Sequence, residues 1–91
     1  MDVEVEGYKY KLIRNDNNCF DLNLFKEKVT DYFFNYDYIC GDYAGNKLRL
    51  KGFMESNNKD VNKINDIAGL DTYILQYCTY QANIFLLKKV K

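Results

Sequence analysis

Asn35-Tyr-Asp-Tyr-Ile-Cys-Gly-Asp-Tyr-Ala-Gly-Asn-Lys-Leu-Arg-Leu-Lys-Gly-Phe-Met54 is the stretch whose reading decides the fold. Two short alternating runs flank Ala44-Gly45, a turn signal, and together they predict a β-hairpin. Pairing Asp42 with Lys47 puts Cys40 opposite Arg49, Ile39 opposite Leu50 and Tyr38 opposite Lys51. The two-residue period then assigns Ile39, Leu48 and Leu50 to an apolar face. Tyr38, Cys40, Asp42, Lys47, Arg49 and Lys51 fall on the other, a charged and aromatic face.

Working outward, Val3–Glu6 and Tyr8–Ile13 alternate around Gly7, with glutamates facing lysines. They predict a second hairpin turning at Glu6-Gly7. Residues 14–18, with three asparagines and an aspartate, predict a loop, because such side chains bond their own backbone. From Asp21 to about Asn35 the period changes to three and four through Leu22, Phe25, Val29, Tyr32 and Phe33. That is an amphipathic helix capped by Asp21, with Phe34 off the stripe at its end. Glu55–Lys63 is the expected flexible loop, and Ile64, Ile67 and Ala68 are expected against the body. A second helix starts at Gly69 or Asp71 and buries Leu70, Tyr73, Ile74 and Tyr77. Ala82–Val90 is apolar on both parities, which predicts a central strand.

The expected fold class is therefore α+β, in the order β-β-α-β-β-α-β. It is an antiparallel sheet or half-barrel of two hairpins plus a C-terminal strand, with two packed helices, forming a single domain over residues 1–91.

Nine tyrosines, six phenylalanines and an apolar share of 47% exclude a disordered chain. Formal charge is zero, yet residues 1–46 carry nine acids against five bases and residues 47–91 eight bases against four acids. A dipolar molecule fits this better than a nucleic-acid-coating polycation. Three scattered cysteines, Cys19, Cys40 and Cys78, point to reduced thiols in a cytosol. No apolar run suggests a membrane span or a secretory leader.

Without histidine the chain lacks the commonest general base and metal ligand. It carries no Gly-rich phosphate loop and no zinc-spaced cysteines, so no catalytic residue, metal or cofactor is assigned. Asp37, Asp42, Arg49 and Lys51 remain as polar candidates. With eleven lysines and only two arginines, Arg49 between two leucines suggests planar two-pronged recognition. It reads equally as an anion grip or as a bridge to Asp37 or another acid, alongside an Asp42–Lys47 pair.

Tyr36-Asp-Tyr-Ile39, Gly41-Asp-Tyr43 and Leu48-Arg-Leu-Lys-Gly-Phe53 resemble the signature of the YutD-like proteins of low-GC Gram-positive bacteria. Asp71-x-Tyr73-x-x-x-Tyr77-Cys78 and Phe85-x-Leu87-Lys88-Lys89 resemble that family's C-terminal segment. The resemblance spans nearly the whole chain and implies a small cytosolic α+β domain without a known reaction. Two departures stand out: Tyr43 where a tryptophan is expected, and Tyr80-Gln81-Ala82 without a second cysteine.

The leading functional expectation is a non-catalytic protein-interaction module binding through Tyr38, Asp42, Tyr43, Lys47, Arg49 and Lys51. The alternative is an RNA- or ribosome-associated protein using the same tyrosine and basic face. A small enzyme ranks third. A protein partner is expected first and RNA second, with no membrane, a cytoplasmic location, and a monomer as the default state.

Overall fold

The computed structural model describes residues 1–78 and 82–91. Five strands form one open antiparallel sheet in the order β1-β2-β5-β3-β4. They are β1 (Asp2–Val5), β2 (Tyr8–Asn15), β3 (Tyr38–Ala44), β4 (Lys47–Phe53) and β5 (Ile84–Lys89). Helices α1 (Leu22–Lys28) and α2 (Leu70–Tyr77) lie on opposite faces. The element order is the expected one, and the sheet does not close into a barrel.

The first hairpin turns at Glu6-Gly7, both residues at positive φ (49° and 84°), so Val5 pairs with Tyr8. That is the backbone twist a two-residue hairpin favours. The second turns at Gly45-Asn46, with Gly45 at φ 63°, and Ala44 pairs with Lys47. This is two residues tighter than the Asp42–Lys47 pairing expected above. Arg49 therefore faces Asp42, and Cys40 faces Lys51. A shift of two preserves side-chain parity, so the face assignments hold although the partners change.

β5 is central, bonded to β2 on one side and β3 on the other. Phe85 and Leu87 enter the layer with Val3, Val5, Tyr10, Ile39, Leu48 and α1's Phe25. Ile84 and Leu86 enter the opposite layer with Tyr38, Cys40 and Phe53, beneath Leu70, Tyr73 and Ile74 of α2. The charged and aromatic face of the hairpin is thus largely roofed by α2. Gly41 lets the Phe85 ring lie against the sheet: a Cβ there would fall 2.0 Å from Phe85 Cζ.

The first helical stretch is shorter than its stripe suggests. α1 is capped by Asp21, whose carboxylate accepts the Leu24 amide at 3.1 Å, and it stops at Lys28. Val29 and Thr30 are extended, and Asp31–Asn35 form a separate 3-10 segment. The break rotates the later residues, exposing Tyr32 and burying Phe34, which stacks on Tyr8 at 4.5 Å. The expectation of one helix to Asn35 fails because two β-branched residues end it.

Residues 55–66 are tied down rather than loose. Asn62 Oδ1 accepts the amides of Ile64 and Asn65, Asn65 Oδ1 accepts that of Asn62, and Asp66 Oδ1 accepts that of Ala68. These local turns are what Asn and Asp favour, but here they close on one another. The segment docks where Met54 bridges Asp66, with Met54 N–H donating to Asn65 O at 2.7 Å. Ile64, expected against the body, is exposed.

Candidate functional site

The strands place the polar candidates in three settings. Asp37, just before β3, is buried; its carboxylate accepts the Glu55 amide at 2.8 Å and Asn58 Nδ2 at 2.9 Å, with Lys91 Nζ at 3.2 Å. Burial raises its pKa, but these donors outweigh it and the group stays below the usual carboxylate range. Asp37 thus knots β3 to the 55–66 segment.

Asp42 is also buried, and the Arg49 guanidinium forks onto it, Nη2 to Oδ2 at 2.5 Å and Nε to Oδ1 at 3.3 Å. Arg49 Nη2 also donates to the Tyr77 carbonyl at 3.0 Å, at the C-terminal turn of α2. The Cys78 thiol is pushed up to about 11, first by burial and then by the neighbouring Asp42 carboxylate. Burial holds the Cys40 thiol higher still, at about 12. The expected Asp42–Lys47 pair does not form, and Arg49 bridges Asp42 rather than Asp37. Cys19, Cys40 and Cys78 are free thiols.

The other named residues separate. Tyr38 is buried and its hydroxyl donates to Glu55 Oε1 at 2.8 Å. Tyr43 points to the opposite face, where its hydroxyl donates to the Cys19 carbonyl at 2.8 Å. Lys47 stands exposed at the tip. Lys51 opens onto a cavity.

That cavity is a groove of about 490 Å³ between β4, the 63–69 segment and α2, lined by Lys51, Lys63, Ile64, Tyr73, Gln76 and Tyr77 among others. The Lys51 ammonium lies 5.2 Å from the Phe53 ring centre and 5.9 Å from that of Tyr73. Tyr73 and Tyr77 rings lie 5.5 Å apart. Tyr77, expected in the core, is 64% exposed, and Ile64 is 76% exposed. No carboxylate lines the groove among the described residues. Its aromatic wall was assigned to the buried helix face, Lys51 to the charged face of the hairpin, Lys63 to a flexible loop and Ile64 to the body of the domain. The surplus of tyrosine over phenylalanine was the available signal, since a tyrosine tolerates half-burial.

Among the described residues no three acidic, cysteine or histidine side chains converge to hold a metal. No helix there is long and apolar enough to cross a membrane.

The arrangement is that of a small α+β domain with one five-stranded antiparallel sheet between two helices, and an aromatic, basic groove at one edge. The chain belongs to the YutD-like family: the family model described as "Putative antitoxin YutD-like" matches residues 4–88. "Putative antitoxin YutD" of Bacillus subtilis (strain 168) is 33% identical over 89 residues, covering 98% of each chain. The solution NMR structure of protein yutD from B. subtilis matches with a TM-score of 0.82 at 32% identity, covering 100% of this chain and 83% of that one. The Tyr80-Gln81 departure lies outside the described residues.

Proposed function

We propose that this chain is a non-catalytic module that binds a protein partner in the groove between β4 and α2. The observation that carries the reading is the groove's lining. Two lysines and two tyrosines surround an exposed isoleucine, with no carboxylate beside them among the described residues. The groups that could do chemistry are engaged elsewhere: Asp37 with backbone and Asn58, Asp42 with Arg49, and Tyr38 with Glu55. Large aromatic side chains with a cationic rim suit a protein surface that offers an apolar anchor beside acidic residues. The name of the Bacillus relative, "Putative antitoxin YutD", accords with a role exercised on another macromolecule.

The test is affinity capture from the source cells, with and without RNase, using the native chain and Tyr77→Ala. A protein captured in both conditions and lost with Tyr77→Ala, at an unchanged melting temperature, is the expected result. Capture abolished by RNase would replace the protein partner with RNA.

A further inference from the structure

The sheet ends in two strands of opposite pattern. β1 reads Asp2-Val3-Glu4-Val5, and β4 opens Lys47-Leu48-Arg49-Leu50-Lys51. Inside the chain β1 already pairs with a lysine alternation: Asp2 faces Lys11, Glu4 faces Lys9, and Val3 faces Tyr10. β4 repeats the basic–aliphatic alternation but has β3 on one side only, and no strand on the other among the described residues. Since Ala44–Lys47 closes a two-residue loop, the alternation of the antiparallel ladder turns the Leu48 and Leu50 backbone groups away from β3. Among the described residues no backbone bond outside the strand ladder reaches either one.

We propose that the outer edge of β4 is a docking strip for an extended protein segment of alternating acidic and aliphatic residues, added as a sixth strand. This rests on the protein-binding role proposed above and names the partner's chemistry. Main-chain bonds to Leu48 and Leu50 supply attachment, and side chains supply selection. The segment's acids lie beside Lys47 and Lys51 on the α2 face, and its aliphatics continue the layer of Leu48 and Leu50. Arg49 holds Asp42, which leaves the two lysines to select for acids. Lysines on a sheet edge also repel a second β4, so the strip is barred to its own kind and open to an acidic strand.

The experiment titrates the ¹⁵N-labelled full chain with an acetylated, amidated peptide of about eight residues alternating glutamate and valine. Amide shifts and slowed exchange centred on Leu48 and Leu50 are expected. Affinity should fall about tenfold or more for the Lys47→Glu, Lys51→Glu double variant, and a lysine–valine peptide should then bind that variant instead. No shift at millimolar peptide overturns the proposal, as does equal binding of a peptide N-methylated on alternate amides. Concentration-dependent self-association that shifts the same amides without peptide overturns it too, by giving the edge to β1 of a second copy. If the peptide fails while Tyr77-dependent capture of a protein persists, the edge proposal falls and the binding role stands. If that capture fails while the peptide binds, the groove reading falls instead.

Discussion

Arg49 sits directly across the β3–β4 pair from Asp42, and both prongs of its guanidinium close on that one carboxylate. The acid's side chain is 2% exposed and the arginine's 42%, so the pair is half wet. Breaking a fully buried pair costs about 3–5 kcal/mol, and an exposed one about 0–1. Arg49→Ala is therefore expected to cost about 2 kcal/mol, since it strands a buried carboxylate. Arg49→Lys should cost about 1 kcal/mol, because an ammonium keeps the charge but not the fork. Urea melts of the two variants check this, and identical midpoints to the native chain would remove the clamp from the fold's account.

Gly41→Ala tests the approach of Phe85 to the sheet. The added methyl would overlap the ring from above, with Cζ at 2.0 Å and Cε2 at 2.3 Å. Overpacking of this kind costs about 1–3 kcal/mol or more, and the upper end is expected because the ring is wholly buried. A smaller partner should relieve it: Gly41→Ala with Phe85→Leu is expected to be more stable than the two single costs added together. Strict additivity in a double-mutant cycle would disprove the clash.

Phe25 and Tyr77 separate core from surface. Phe25→Ala should cost about 3–5 kcal/mol, since the ring is fully buried against Phe20 and Phe85. Tyr77→Ala should change stability by no more than about 0.5 kcal/mol, as exposed positions do. Thermal melts showing equal losses would contradict the groove as described.

Stability should fall at both ends of the pH range. Cys40 keeps its proton to about 12 in the folded chain, while an unfolded cysteine ionises near about 8.5. Its contribution is whole below the lower value and declines as pH rises above it, because only the unfolded chain releases the proton. Asp16, lowered by the Arg14 fork, and Asp37, lowered by its donors against the pull of burial, act at the acid end. Their contribution is whole above about 4 and declines as pH falls through their folded values. Cys40→Ser should flatten the alkaline limb and Asp37→Asn the acid limb of a melting-temperature profile. Limbs unchanged by either substitution would exclude these groups.

Strand identity, helix existence and face parity were legible because the side chains of β3, β4 and α2 display periods of two and about three and a half openly, while β5 announced itself as a continuous apolar run. The hairpin register was not, since a two-residue and a four-residue turn around Gly45 leave parity identical. The position of Tyr77 was hidden for another reason. The apolar spacing of α2 continues through Tyr77, but the ring lies out beside Tyr73, 64% exposed, while only the Tyr77 backbone is held by the sheet through Arg49. Of the six candidate binding residues, one reached the groove; Asp42 and Arg49 found each other, which strand scarcity of arginine hinted at without naming the partner.

β5 is read by the ribosome after the other four strands of the sheet, and it lies between the two hairpins, bonded to β2 and β3. Until Ile84–Lys89 has left the exit tunnel, β2 and β3 have no common neighbour, and both core layers lack their central residues. Early-made segments cannot settle into a smaller version of the domain while synthesis continues. Such late, distant pairing slows folding and leaves strand edges bare in the meantime. A nascent chain halted before Ile84 is therefore two tethered hairpins, a substrate for chaperones and proteases rather than a partial copy of the protein.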